Sequence, residues 1–444
     1  MIWRKFILGG VLLYLYAIAG AQPSYLGTKT PYAPPHVAGT PPPVGYRPVF
    51  VSYVGRHGAR FLTKAGADQH VSEVLQSAEK NNALTEKGKK VKEIAGRLQA
   101  VGKGNYESLT LLGKEEQEAI GERMRYQYGS VFTGRGLEVV TTWKLRTQQS
   151  AEAFLQGFAQ YDGEKKYERA PDSTDAVLRF YDLSPAYQRY KKSDLVKRRL
   201  DSLDRDKRTK ATAKRICSRL FSPAFMGKLM EDGSGVPFAD DLYDLYSIAW
   251  SMTGEVREKG FPTDSEGLGI AFDEDDLEWL DLKSGAADFL EKGPGFDPGG
   301  IQVKVAAPLL ADFINSLDRA TRSPARGGDA ILRFTHAEAI APFAALLGIL
   351  EASTPAGSIY RYHDHWKARD VIPLSANILW VLYGSEGHYL VKVLLNEREA
   401  VLPVATTQWP YYRWEDLRAY YVEKLRSMHT GIQENMQEYL RRLE

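Results

Sequence analysis

The chain has 444 residues, 43% hydrophobic and 26% charged. These are ordinary globular values, with length for two or three domains or for one domain carrying a large insertion. The formal net charge is +2, and once residues 1–21 with Arg4 and Lys5 are set aside, 56 basic residues face 56 acidic ones. That balance argues against a nucleic-acid partner, so any affinity for a polyanion has to come from a local cluster.

Arg4 and Lys5 precede an apolar run from Phe6 to Ile18, and Ala19-Gly20-Ala21 follows. A basic start, a short apolar core and a small-x-small exit predict a secretory signal peptide over residues 1–21, hence a periplasmic or secreted protein. The run is too short for a membrane helix, no Cys follows it to carry a lipid, and no later segment could span a bilayer. After signal removal no membrane association is expected. The one cysteine, Cys217, cannot form an intramolecular disulfide. Between Ile216 and Leu220 it reads as a small buried apolar residue.

Residues 22–48, with Pro34-Pro35 and Pro41-Pro42-Pro43, predict an extended segment laid along the surface. Val49 to Val54 reads as a buried strand. Residues 70–101 and 108–129 carry charged helical patterns. Leu137 to Thr142 is a second strand, and Ala151, Phe154, Leu155 and Phe158 then share one helical face. Residues 160–300 are charged and largely helical. Ala330 to Phe334 resumes the strand pattern, with an apolar helix through Leu350. Ile378 to Tyr383 and Tyr389 to Leu395 predict an antiparallel pair around Gly384-Ser385-Glu386-Gly387, and an amphipathic helix closes the chain. The alternation implies an α/β domain, a mixed sheet flanked by helices, built from residues 22–159 and 301–444. Residues 160–300 form a mainly helical inserted domain.

Three strand-to-helix junctions carry chemistry. The first is Arg56-His57-Gly58-Ala59-Arg60. Two guanidinium forks suited to phosphate oxygens flank one imidazole, and Gly58 allows close backbone approach. The neighbouring cations disfavour protonation of His57, which suits a nucleophile. An isolated Arg-His-Gly triplet is nevertheless better read as a basic solvated turn. The second junction is Thr335-His336-Ala337-Glu338. His336 could donate to a phosphate oxygen and Glu338 protonate a leaving alkoxide; equally, Glu338 could simply favour a helix N-terminus and His336 be a core residue. The third, Lys144 to Ser150, offers Arg146 to the same crevice. All three lie where functional residues cluster in open α/β sheets, and scattered surface charges have no reason to recur there.

The ordered set Arg56-His57-Gly58-Ala59-Arg60, Arg146-Thr147 and His336-Ala337-Glu338 resembles the histidine acid phosphatase superfamily over most of the mature chain. His-Ala-Glu in place of His-Asp is similar to the multiple inositol polyphosphate phosphatases, as are Tyr25 to Tyr32 with their Gly27-Thr28-Lys29-Thr30 core and Leu395-Asn396-Glu397. Leu62 stands where the family often has proline, which leaves the shape of the loop after Arg60 open. Ala339 replaces a residue that is polar in some relatives.

The resemblance implies a histidine phosphatase-like fold and a phosphomonoester hydrolase that removes phosphate from small-molecule inositol polyphosphates such as phytate, without cofactor or metal. His57 would attack phosphorus to form a phosphohistidine. Arg56, Arg60, Arg146 and His336 would hold its oxygens, and Glu338 would protonate the leaving oxygen. Lys29 and Thr63 would be substrate contacts. A phosphate beside Glu338 should raise its pKa, which predicts an acidic to neutral optimum. The basic run Lys191-Lys192, Lys197 to Arg199 and Arg205 to Arg208, interspersed with aspartates, reads mainly as a solvated helix face. His363-Asp364-His365 would place two imidazoles together on a strand, but lacks further ligands for a metal. The rival readings are a broad-specificity or sugar-phosphate histidine acid phosphatase and a non-catalytic anion-binding protein.

Overall fold

The computed structural model of the chain describes residues 24–36, 39–170, 175–260, 265–323 and 328–444. The signal peptide expected over residues 1–21 lies outside the described residues. Among the described residues eight strands join in one sheet: β1 (Arg47–Arg56), β2 (Leu137–Thr141), β3 (Lys165–Arg169), β4 (Ala330–Thr335), β5 (Asn377–Ser385), β6 (His388–Leu395), β7 (Arg398–Glu399) and β8 (Tyr411–Arg413). Their order is β3-β2-β4-β1-β5-β6-β7, with β8 also on β6. The first four in that order run parallel, and β5 and β6 are antiparallel.

Register decides the position of the site. Arg56 pairs with Thr335 and Phe334 with Thr141, so β1, β4 and β2 end at one level. His57, His336 and Thr142 are the next residues, side by side along one sheet edge. Two further bonds hold them there, from the His57 amide to the Thr335 carbonyl at 3.0 Å and from the Thr142 amide to the Phe334 carbonyl at 3.3 Å.

Both faces of the sheet are covered, which is why β1 and β4 read as continuous apolar runs. On one face Phe50, Val54, Ile331, Trp380 and Leu382 pack beneath helices Ala307–Arg322, Ala337–Leu347 and Trp414–Ser427. On the other, Val51, Tyr53, Val139 and Leu332 meet helices Leu111–Gln127 and Leu145–Gln156. The turn between β5 and β6 is a two-residue loop with Glu386 and Gly387 both at positive φ, the conformation that matches strand twist.

Several elements differ from the sequence reading. Lys165–Arg169, placed in the helical stretch, is the edge strand of the sheet. Its Lys-Lys-Tyr-Glu-Arg sequence is mostly exposed, so it lacks the apolar alternation of an inner strand and carries the charges that blunt an edge. The helical run 70–101 is two helices, Ala67–Lys80 and Glu86–Gly102, broken at Asn82 with φ of 50° and restarted by the Thr85 cap. These two helices share a core with residues 213–280, so the helical part of the molecule also draws on the segment after β1. Cys217 is buried in that core, and burial pushes its thiol up to about 12. The proline-rich segment is not wholly superficial, because Gly27 is buried and Leu26 packs into that same helical core. Among the described residues no helix is long and apolar enough to cross a membrane.

Candidate active site

The turn after β1 is held by main-chain and side-chain bonds from four directions. The Arg56 guanidinium donates through Nη1 to the carbonyls of Thr28 (2.7 Å), Ile372 (2.5 Å) and Pro373 (3.1 Å), while its buried Nε has no partner among the described residues. Glu116 accepts from the Ala59 amide at 2.9 Å, the Tyr32 amide at 2.8 Å and the Ser375 hydroxyl at 2.7 Å. Burial nevertheless raises its pKa, partly offset by those bonds. Gln117 Nε2 donates to the Arg56 carbonyl, and the Gly58 amide donates to Ser150 Oγ.

Gly58 and Gly113 face one another across this turn. A Cβ on Gly113 would sit 2.0 Å from the Ala59 carbonyl oxygen, and one on Gly58 would sit 2.4 Å from the Gly113 carbonyl oxygen. Both obstacles are backbone, so neither yields cheaply. Gly113→Ala is therefore expected to destabilise the fold by about 1–3 kcal/mol and to cut activity by displacing His57. A thermal melt and a phosphatase assay unchanged from the parent protein would contradict that packing.

His57 is buried, 3% exposed. Its Nδ1 lies 3.0 Å from the Gly58 carbonyl, which can only accept. The proton of the neutral ring therefore sits on Nδ1, leaving a lone pair on Nε2. Burial, then Arg146, Arg56, His336 and Arg60, hold the imidazole well below its usual pKa. The His57 and His336 rings meet edge to face at 5.5 Å between centroids.

His336 Nε2 is 3.1 Å from Thr142 Oγ1 and 3.5 Å from Arg179 Nη1. A guanidinium only donates, so this contact puts the acceptor lone pair on Nε2 and the proton on Nδ1. That Nδ1 is buried and has no partner among the described residues. Arg146, in the first turn of the helix after β2, has buried Nε and Nη1 with no hydrogen-bond partner among the described residues, and a long 3.7 Å ion pair to Glu107. Arg60 Nε is likewise buried with no partner among the described residues, and Nη1 donates to the Phe61 carbonyl at 2.8 Å. Donors at His336, Arg56, Arg60 and Arg146 thus surround the neutral imidazole of His57.

Glu338 begins the helix after β4, and its carboxylate is 37% exposed. Lys292 bonds to Glu338 at 3.1 Å and to Asp288 at 2.7 Å. Burial pushes the Glu338 carboxyl up, but Lys292 and His336 outweigh it and hold the group well below the usual carboxylate range. Burial likewise disfavours the Lys292 charge, yet Asp288 and Glu338 keep it above the usual lysine range.

The sequence matches the pattern of the histidine phosphatase superfamily (branch 2) over residues 49–246 and 298–396. The chain belongs to that superfamily. Multiple inositol polyphosphate phosphatase 1 of Gallus gallus is 24% identical over 448 residues, covering 94% of each chain. The multiple inositol polyphosphate phosphatase of Bifidobacterium longum, solved in complex with inositol hexasulfate, shares the fold. Its TM-score is 0.76 at 23% identity, over 92% of this chain and 99% of that one. The phytase from D. castellii does so with a TM-score of 0.68 at 16% identity, over 95% and 88% of the two chains.

In this histidine phosphatase the remaining residues singled out by sequence fall elsewhere. Lys29 donates to Asp244 Oδ1 at 2.7 Å and Ser247 Oγ at 3.0 Å, so in the free protein its ammonium is already engaged. Thr63 is exposed in the loop before helix Ala67–Lys80. His363 and His365 lie on and just after a 3-10 turn, Tyr362–Asp364, rather than on a strand. There His363 packs on the Tyr362 ring while His365 is exposed. The basic run forms local pairs such as Arg205–Asp201 and Arg208–Asp206, as a solvated face does. Asn396 and Glu397 adopt positive φ at the end of β6, where Glu397 accepts both Arg123 and the Tyr32 hydroxyl.

Two crevice cations had no signal in the sequence reading. Arg179 contacts His336, pairs with Asp182 and lies over the Trp143 ring, whose other neighbour is the Lys144 ammonium at 4.1 Å. Lys292 follows helix Glu274–Glu291. Both come from a charge-rich stretch in which crevice and solvent cations look alike.

Proposed function

We propose that this chain is an inositol polyphosphate phosphatase that works through a phosphohistidine on His57. The observation carrying the reading is the Nδ1–H of His57 bound to the Gly58 carbonyl, which leaves a basic Nε2 among uncommitted phosphate donors. His57 Nε2 attacks phosphorus, the N–P bond forms as the ester P–O bond breaks, and Glu338 gives its proton to the departing inositol oxygen. Water then attacks the phosphohistidine, Glu338 takes its proton, and His57 returns neutral with phosphate free. Arg56, Arg60, Arg146 and His336 hold the equatorial oxygens through both steps.

The substrate class rests on charge as well as kinship. Arg56, Arg60 and Arg146 suffice for one phosphoryl group, and Arg179, Lys144 and Lys292 supply further cations around it. A relative named for inositol polyphosphates and a neighbour holding inositol hexasulfate agree with a ligand of many anionic groups. Export, expected from residues 1–21, would bring the enzyme to substrate outside the cytoplasm.

The test compares phosphate release from inositol hexakisphosphate and from glucose 1-phosphate. The former should be preferred by about tenfold or more in kcat/KM, the scale of one or two added polar contacts. Equal values would favour a broad-specificity phosphatase.

A further inference from the structure

Glu338 poses a chemical problem in the free enzyme. A general acid must carry a proton when the P–O bond breaks, yet Glu338 is ion-paired to Lys292 at 3.1 Å. A carboxylate that accepts from an ammonium cannot at the same time donate to a leaving oxygen. The other groups facing it do little to change this. His336 from its own turn, Arg56 and Arg60 from the turn after β1, and Arg146 from the helix after β2 all favour the ionised form. Opposing them are Asp288 and Glu291 from helix Glu274–Glu291, with Asp288 already committed to Lys292. The phenols of Tyr181 and Tyr187, from the short helices Phe180–Leu183 and Pro185–Lys191, are neutral.

One bound phosphoryl group offsets the arginines that grip it, but leaves Lys292 on Glu338. A second phosphate nearby changes the choice, because it gives the ammonium another anion to bind. Asp288, at 2.7 Å, keeps a hold on Lys292 while its other bond is exchanged. The carboxylate side is the more open one, with Glu338 37% exposed against 17% for both Lys292 and Asp288.

We propose that Lys292 is a substrate-sensing positioning residue, which keeps Glu338 ionised until a neighbouring phosphate of a polyphosphorylated substrate takes the ammonium and frees the carboxylate to pick up a proton. Acid catalysis is thereby coupled to the presence of at least two phosphates on the substrate. The inference rests on the assignment of Glu338 as proton donor in an inositol polyphosphate phosphatase.

The experiment records kcat against pH for inositol hexakisphosphate and for glycerol 2-phosphate, a monoester whose alkoxide also needs a proton. In the parent enzyme the alkaline limb should lie about one pH unit or more higher for the hexakisphosphate, since kcat reports groups in the bound complex. Polyanion charge alone could produce that gap, so Lys292→Met and Lys292→Gln are measured alongside. Removing the cation favours the protonated acid. The glycerol 2-phosphate limb should therefore move up toward the other, and the rate at pH 6 should rise about tenfold. The hexakisphosphate rate should fall. Lys292→Arg should restore the parent pattern.

A gain on one substrate with a loss on the other is not what a damaged fold yields. Parallel losses on both substrates with unmoved limbs, or the absence of a gap in the parent enzyme, would overturn the role of Lys292. If Glu338→Gln leaves both esters unaffected, or the parent enzyme shows no preference for the hexakisphosphate, it is the underlying reading that fails instead.

Discussion

Replacing His57 with alanine is expected to lower kcat for phosphate release by on the order of 10^4-fold or more, with a much smaller change in KM. In the proposed mechanism the imidazole supplies the bond to phosphorus, and among the described residues no neighbour is placed to replace it. His336, the nearest imidazole, has Nε2 engaged with Thr142 and Arg179 and presents a donor at Nδ1. The arginines proposed to bind the phosphoryl group are untouched by the change, so affinity should largely survive. A rapid-quench search for acid-labile phosphoenzyme should find it in the parent protein and not in the variant. Persistence of the original rate would remove His57 from the mechanism.

The same residue sets an expectation for pH. Burial and the surrounding cations lower the His57 pKa well below its ordinary 6.5, so the ring stays neutral and nucleophilic as pH falls through 6. The acidic limb of kcat/KM, which reports the free enzyme, should therefore lie clearly below 6.5. Replacing Arg146 with glutamine removes one of those cations and should move that limb upward.

Glu338→Gln is expected to slow inositol hexakisphosphate hydrolysis by on the order of 10^2- to 10^4-fold, the range of general-acid contributions. An inositol alkoxide is a poor leaving group and needs the proton as the P–O bond breaks. The leaving group of p-nitrophenyl phosphate is stable as an anion, so its rate should fall far less. The amide keeps the shape of the carboxyl but neither releases a proton nor pairs fully with Lys292. Comparable losses on the two substrates would point to a positional role for Glu338 and not to proton transfer.

Much of the fold was legible because each element announced itself locally. Val49–Val54, Leu137–Thr142 and Ala330–Phe334 are short, mostly apolar or β-branched runs; the structure lengthens the first and third slightly and ends the second one residue earlier, at Thr141. The charged edge strand Lys165–Arg169 escaped because only its partner β2 makes it a strand. In the site, His57, His336, Glu338 and Arg146 were legible because each lies within five residues of a buried strand end, where chemistry and hydrophobic pattern sit together. Glu116, Gly113 and Ser375, which hold the His57 turn, were not, since a buried carboxylate and a close glycine contact mean nothing until the partner backbone is in place.

The amino-acid sequence by itself determined the superfamily and the sheet-edge placement of the three motifs, because these depend on residue type and short-range order along the chain. Only the tertiary structure decided which charges meet. It tied Lys29 to Asp244, aimed Arg179 at His336 and set Lys292 on Glu338. Those pairings span from 46 to 215 residues of chain. Coulombic contact acts through space over a few ångströms, so no local pattern in a charge-rich helix distinguishes a cation in the crevice from one in solvent.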